Sequence, residues 1–363
     1  MESSLLERLI SVYSVLASWV MTGLLIGKCF PKIIDWLEKK SGTLIAGWID
    51  KYRNYLSMPV LVPLLGKFLF WVGVPLLIFT SLRGRTLSFS FSELVAPITA
   101  WTAILVGAAF AWIWIDLGVN DERLRGFPND ATIGDGVVRE SNCSSPTQGS
   151  FLLAMMVGNT GFMGYPVVLS TVGEKYFIYA VLYDLLGSTL GSYGLGVALA
   201  SYYGKPKEGE EKKVWYVNLF QALVRNPALW SLVISLAIAG VSFPPEIDAT
   251  LKTIATPIVP LSLVMISLQL SLLPALSRLN QAITCLLIKM LFTPLVVGTV
   301  LMFLGIEGRE RQAMVLQMGM PPAFATLVIA QAYNLDRNLS VTTLALGSVM
   351  LIFTLPIWLW LFA

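Results

Sequence analysis

The chain has 363 residues, 56% of them hydrophobic and only 13% charged, with a mean hydropathy of +0.72. A soluble domain carries about a quarter charged residues, so this composition excludes an ordinary soluble fold and marks an integral membrane protein with many spans. The net charge of +3 selects no partner and no nucleic acid is expected; the complete absence of histidine removes the commonest proton shuttle and metal ligand.

At about 20 apolar residues per span, ten spans can be placed in order. The opening Met1 to Arg8 is not a basic leader, so no cleavable signal peptide is expected. Span one covers 11–31. Residues 32–57 mix Lys32, Asp35, Glu38, Lys39, Lys40, Asp50, Lys51 and Arg53 with Ile, Leu and Trp, the pattern of an amphipathic helix on the membrane surface. Spans two and three are 60–82 and 93–117, and the polar stretch 118–149 is a loop. Span four, 150–172, is followed by span five, 176–200. The charged run from Lys205 to Lys213 makes 201–226 a linker. Spans six to ten then cover 227–243, 253–273, 280–305, 312–331 and 340–362. Cys29, Cys143 and Cys285 show neither CxxC nor metal-ligand spacing, so no disulfide framework, metal or other cofactor is expected. No Walker sequence is present, which excludes ATP as a driver.

Span four contains Gly158-Asn159-Thr160-Gly161-Phe162-Met163-Gly164-Tyr165-Pro166. Three glycines, an Asn and a Pro in nine residues are poor helix chemistry. Lipid offers no partner to a free backbone group, so such a stretch survives at membrane depth only where it is buried or lines a cavity. Span nine carries a related break at Met320-Pro321-Pro322-Ala323-Phe324. A constant shift of about 162 residues pairs Phe162 with Phe324, Glu174 with Asp336, Lys175 with Arg337, and Asn159 with Pro321. Interrupted helices at matching positions of two halves are the best sequence pointer to a transporter site. A further match joins Pro75 to Leu82 in span two with Pro260 to Leu268 in span seven, the larger offset being absorbed by the loop 118–149.

These matches give an all-α integral membrane protein built as a five-plus-five repeat: 1–200, a cytoplasmic linker 201–226, and 227–363. Five is odd, so the repeats are inverted. With the N-terminus outside, sixteen Lys and Arg fall in inner loops and seven in outer ones, which favours both termini outside. Asn159 and Pro321 each lie nine residues into their spans, roughly 13 Å deep. They enter from opposite sides, so helices four and nine can cross with their broken backbones at one point.

The stretch from Gly158 to Pro166 resembles the fourth span of the auxin efflux carrier family of membrane transport proteins, which includes plant PIN-type carriers and bacterial dicarboxylate permeases. Val74-Pro75-Leu-Leu-Ile-Phe in span two, Asn226-Pro227 opening span six, Pro260-Leu-Ser-Leu in span seven, and Pro321 to Ala330 with Tyr333-Asn334 are similar to the same family. The resemblance covers nearly the whole chain and suggests a bacterial or cyanobacterial member. It implies ten helices with crossed, broken helices four and nine, a scaffold and a transport domain that alternate access, and small organic anions as substrates. It also implies a homodimer in the plasma membrane. Gly158 stands where the plant carriers have proline, and the long plant loop is here the short linker, so auxin itself is not singled out.

Asn159 is the leading substrate contact, because its amide both donates and accepts; the bland alternative is that it caps a half-helix. Gly158, Thr160, Pro321 and Pro322 complete the candidate substrate set. Gly161, Pro166 and Met320 shape the break, and Gly187, Gly191, Gly194 and Gly196 in span five read as close helix packing. Asp184 is an intramembrane acid and a candidate for coupling, with a structural hydrogen bond as the alternative. Lys289 reads first as a long chain reaching toward cytoplasmic water, and second as a charge that attracts an anion or pairs with Asp184. Gln269 and Gln317 read as interhelical hydrogen bonds. The whole predicts no enzyme but a secondary exporter of small organic anions, such as carboxylates or auxin-like compounds, working by alternating access. The rival readings are a sodium-coupled symporter of the bile-acid carrier type and a sensor of the same fold.

Overall fold

The computed structural model describes residues 5–40, 57–84, 91–120, 145–204, 220–221, 223–272 and 276–363. Among them the fold is helical throughout, and the only bridge between extended segments joins Gly158 and Pro322. Among the described residues, five helices are long and apolar enough to cross a membrane: Met58–Leu82, Glu93–Leu117, Pro245–Ser271, Leu279–Phe303 and Arg337–Leu361. Two segments expected to be interrupted are interrupted. Helix Ser145–Met156 stops before Asn159 and resumes as a π turn, Thr160–Gly164, and helix Tyr165–Thr171. Helix Gly308–Met318 stops before Pro321 and resumes as Phe324–Ala332.

Several boundaries differ from expectation. The first helix runs without a break from Leu5 to Lys40, so the start of the expected surface helix continues the first span through Pro31. Residues 41–56 of that helix lie outside the described residues, as does most of the loop 118–149, whose edges are helical to Asn120 and from Ser145. The linker is likewise described only at its ends. The sixth span is shorter than expected, with helix Pro227–Ala237 covering only 11 residues. Cys29 is a free, exposed thiol and Cys285 a free, buried one, while Cys143 lies outside the described residues.

The chain forms two compact units that each draw on both sequence halves. The first comprises 1–90, 161–181 and 226–274; the second comprises 91–160, 182–225 and 275–363. In the first unit, helix Leu5–Lys40 packs along Ile258–Ser271. The approach is set by glycine against serine: a Cβ at Gly23 would lie 2.6 Å from Ser267 Cβ and 2.8 Å from the Val264 carbonyl oxygen. Beside this seam Met58, Val62, Val264 and Leu268 form an apolar core with Phe30 and Leu65. In lipid such close packing replaces the hydrophobic drive that holds soluble helices together. Arg83 pairs with Asp248 and stacks over Phe243.

The second unit is centred on Ser145–Met156, whose residues from Ser150 to Met156 are all buried. Phe151, Leu152, Ala154 and Met155 pack with Ala111, Ala282, Cys285, Ile288 and Leu339. One polar knot ties its ends. Asp336 pairs with Arg278 at 2.6 Å, accepts from Thr147 at 2.9 Å, and caps helix Arg337–Leu361 through the Leu339 N–H at 3.0 Å. Both members of the ion pair are largely buried, which makes the loss of one partner expensive.

Among the described residues, five π turns interrupt the helices: Leu69–Gly73, Thr160–Gly164, Asp184–Thr189, Ser192–Gly196 and Ile288–Phe292. Three share a cause legible in sequence, since each ends two residues before a proline: Pro75, Pro166 and Pro294. Proline lacks an N–H and its ring clashes with the carbonyl of the preceding turn; a wider turn there relieves both problems. Widening frees carbonyls, which in an apolar interior must find donors. Two tryptophans serve this need: Trp101 Nε1 donates to the Leu186 oxygen at 3.0 Å, and Trp358 Nε1 to the Met290 oxygen at 3.1 Å. Gly187 and Gly191, expected to serve packing, lie against Ala100 and Ile104.

Two stability outcomes follow from these contacts. Asp336→Ala loses a buried ion pair and a helix cap together, and lowers the unfolding free energy of the detergent-solubilised protein by about 3–5 kcal/mol; a thermal midpoint equal to the parent's would show that the knot holds nothing. Gly23→Ala lowers the midpoint because helix Leu5–Lys40 must move off Ser267. The same change at Gly66, which has nothing within 4 Å of its Cβ position, raises stability by up to about 1 kcal/mol by removing a helical glycine.

Candidate functional site

The two broken helices of the second unit bind each other through backbone. The Asn159 N–H donates to the Pro321 oxygen at 2.7 Å, and the Ala323 N–H donates to the Val157 oxygen at 3.0 Å. These bonds flank the antiparallel pair Gly158 and Pro322, which is of the close, non-hydrogen-bonded kind, with Cα atoms about 4.5 Å apart. The arrangement explains the residue types. Pro321 and Pro322 have no N–H to satisfy, so the segment from Met320 to Ala323 needs few partners. A Cβ on Gly158 would face the Met320 oxygen at 3.5 Å and the end of the Lys289 side chain at 3.6 Å.

Lys289 reaches this point from the π turn Ile288–Phe292. It is only 2% exposed, and its Nζ lies 3.6 Å from the position a Cβ would take on Gly158. Its ammonium has no hydrogen bond or ion pair with any described residue. The expectation that this chain reaches outward to water is therefore corrected: it is folded into the protein, onto the broken backbone. The π turn is the reason, because it rotates the helix face just before Pro294.

On the other side of Asn159, the Thr160 hydroxyl donates to Asp184 Oδ1 at 2.5 Å and lies 3.4 Å from the Gly158 oxygen. Asp184 opens the π turn Asp184–Thr189, so three π turns deliver Thr160, Asp184 and Lys289. Asp184 and Lys289 form no ion pair with each other. Asn159 is buried at 9% exposure, and its side-chain amide bonds to no described residue; it does not cap the helix that follows. Met320 is buried, its carbonyl oxygen 3.5 Å from the Gly158 Cβ position.

Gly158, Asn159, Thr160, Asp184, Lys289, Met320, Pro321 and Pro322 thus all belong to the second unit, whereas Gly161 and Pro166 belong to the first. Sequence reasoning missed Trp101 and Trp358, whose indoles hold the π turns of Asp184 and Lys289. It also missed Thr293, whose buried hydroxyl has no hydrogen-bond partner among the described residues and stands four residues after Lys289. No spacing rule flags such residues. An apolar cavity of about 540 Å³ between Ile26, Phe30, Met58, Leu65 and neighbouring residues lies in the first unit and offers no polar group to a ligand.

A buried ammonium without a counter-charge among the described residues is kept at the expense of stability. Lys289→Met, similar in length and apolar, therefore raises the unfolding free energy by about 1–3 kcal/mol. A fall in the thermal midpoint would show instead that Lys289 is a structural member of the core.

Residues 132–359 match the family described as Membrane transport protein. An uncharacterized transporter of Methanothermobacter thermautotrophicus is 28% identical over 290 residues, covering 79% of this chain and 84% of the relative. Another, of Methanocaldococcus jannaschii, is 27% identical over 220 residues, or 59% and 68% of the two chains. The uncharacterized transporter YfdV of Escherichia coli is 24% identical over 206 residues, or 55% and 63%. The chain is an integral membrane protein and belongs to the membrane transport protein family, the auxin efflux carriers and their relatives.

Proposed function

We propose that this protein is a secondary transporter that exports small organic anions by alternating access, with its substrate site at the junction of the two broken helices. The observation that carries this reading is Lys289: a buried ammonium, without a counter-charge among the described residues, set against the broken backbone at Gly158. In a low-dielectric interior an ammonium seeks an anion, and the carboxylate of a substrate supplies one. The Asn159 amide, uncommitted within the fold, orients the bound molecule. Half-helix N-termini such as that of Phe324–Ala332 add partial positive charge.

The ten-span inverted repeat belongs to the same proposal. An in-plane two-fold axis requires equivalent residues of the two halves to meet antiparallel where the axis passes. The sequence shift places Asn159 opposite Pro321 as equivalents, and these two residues share the 2.7 Å backbone bond. This coincidence supports an axis through the junction; the excess of Lys and Arg in alternate loops supports both termini on the outer side of the plasma membrane and 201–226 inside. The second unit, which holds the site, is the transport domain; the first unit is the scaffold. A proton gradient or the membrane potential drives the cycle.

Purified protein in liposomes tests this directly, with labelled monocarboxylates, dicarboxylates and indole-3-acetate under imposed pH, sodium or voltage gradients. Saturable flux is expected, reduced about tenfold or more by Lys289→Met, as for loss of a charge-assisted hydrogen bond, and strongly by Asn159→Ala. Flux that ignores both substitutions would remove the site from the junction, and no flux of any anion under any gradient would sink the transport of organic anions. Strict dependence on sodium would favour a symporter.

A further inference from the structure

We infer that the start of helix Gly308–Met318 carries a second site for an oxyanion, a carboxylate or a phosphate, built on Arg311. Arg311 lies nine residues before Met320, so it stands about 13 Å from the junction along the same half-helix. It is only 8% exposed, which largely closes the route to water that a long cationic chain normally takes. Its guanidinium lies over the Phe362 ring, 5.3 Å from the centroid. Its buried Nε has no hydrogen-bond partner, and it forms no ion pair with a described residue. That includes Glu307 and Glu310, the acids beside it in sequence. Gln312, by contrast, is committed: it accepts from Arg309 at 2.9 Å and donates to the Leu359 oxygen at 3.3 Å. Stacking uses the face of a guanidinium and leaves its edge, a rigid fork of donors, for a planar oxyanion.

The helix end adds to this. Its first turn leaves backbone N–H groups without helical partners, and Glu307 at the N-cap makes no side-chain capping bond. The positive end of the helix dipole lies there. Helical side chains lean toward the N-terminus, so Arg311, in the first turn, lies toward that end. The aromatic stack is itself fixed. Phe362 is buried, and Gly298 makes room for it, since a Cβ there would lie 2.6 Å from Phe362 Cζ. Phe362 also packs on Trp358, with ring centroids 6.0 Å apart, and Trp358 holds the Met290 oxygen in the π turn of Lys289. One aromatic pair thus seats both Arg311 and Lys289. On the proposed topology the start of Gly308–Met318 is its outer end, and Arg311 is the station that an exported anion meets between the junction and the outside. That placement rests on the proposed function; the site itself rests on these contacts.

The thermal midpoint of the detergent-solubilised protein reads the site without any transport, with succinate and phosphatidylglycerol as the probes. In Lys289→Met protein, where the junction no longer offers its ammonium, succinate is still expected to raise the midpoint. Adding Arg311→Gln should abolish that rise. Should the Gln variant not fold, Arg311→Lys replaces it: it keeps the charge without the fork, and should cut the rise by about half or more. A rise that depends on Arg311 with phosphatidylglycerol but not with succinate identifies the oxyanion as a lipid headgroup. If neither probe gives a rise that depends on Arg311, the site is overturned. Flux gives the placement. Intact cells present the outer face and inverted membrane vesicles the inner one. Arg311→Gln is expected to raise the half-saturating succinate concentration about tenfold at the outer face, as for loss of a charge-assisted hydrogen bond, and to leave the inner value unchanged. An equal rise at both faces overturns the outer station. Absence of all anion flux, with the succinate rise still dependent on Arg311, overturns the transport reading and leaves the oxyanion site standing.

Discussion

Two backbone hydrogen bonds, from Asn159 to Pro321 and from Ala323 to Val157, are the constraint on which the second unit depends. A membrane interior forbids loose backbone, yet a binding site at mid-depth needs residues freed from helical geometry. The solution is mutual: each broken helix supplies what the other lacks. Two consecutive prolines reduce the number of donors that must be placed. The half-helices Ser145–Met156 and Gly308–Met318 end at this pairing, and Phe324–Ala332 starts from it.

The π turns solve a second part of the same problem. A regular helix repeats its faces every 3.6 residues, so a polar residue placed for the site dictates what lies one turn away. Widening a turn shifts the face locally and lets Lys289 point to the junction while Pro294, five residues later, remains in register with the following helix. The same device presents Asp184. Each widening frees a carbonyl, and the indoles of Trp101 and Trp358 take these up. Tryptophan suits this task because it donates a single hydrogen bond and is otherwise apolar. The fold is thus organised twice around the same rule, first at the junction and then in the helices that feed it.

Much of this was legible in the sequence. The breaks at Gly158–Pro166 and Met320–Phe324 violate helix chemistry so strongly that burial or a cavity was the only outcome, and the repeat shift paired Asn159 with the residue it bonds. The prolines that follow the π turns were equally visible, although their consequence for Lys289 was not. A lysine within an apolar helix reads first as a long chain reaching for water, and only a rotated face turns it inward. The tryptophan donors were illegible for a different reason. A carbonyl freed by a π turn has no sequence signature, and its donor comes from a helix far away in the chain. The division into units was hidden too, because each unit draws segments from both halves.

Charge placement at the junction shows what the fold gives up there. A Met at 289 would pack without the cost of a buried charge, and the backbone bonds of Asn159 to Pro321 and of Ala323 to Val157 would be unaffected. Keeping an ammonium beside Gly158, with no ion pair to any described residue, costs stability that the paired backbone does not require. On the proposed reading that cost is recovered when an anionic substrate binds: the empty carrier gains by accepting it, and the loaded one passes through apolar surroundings with the ammonium compensated. The breaks make the junction possible, and the ammonium set against it favours an anion as the molecule that completes it.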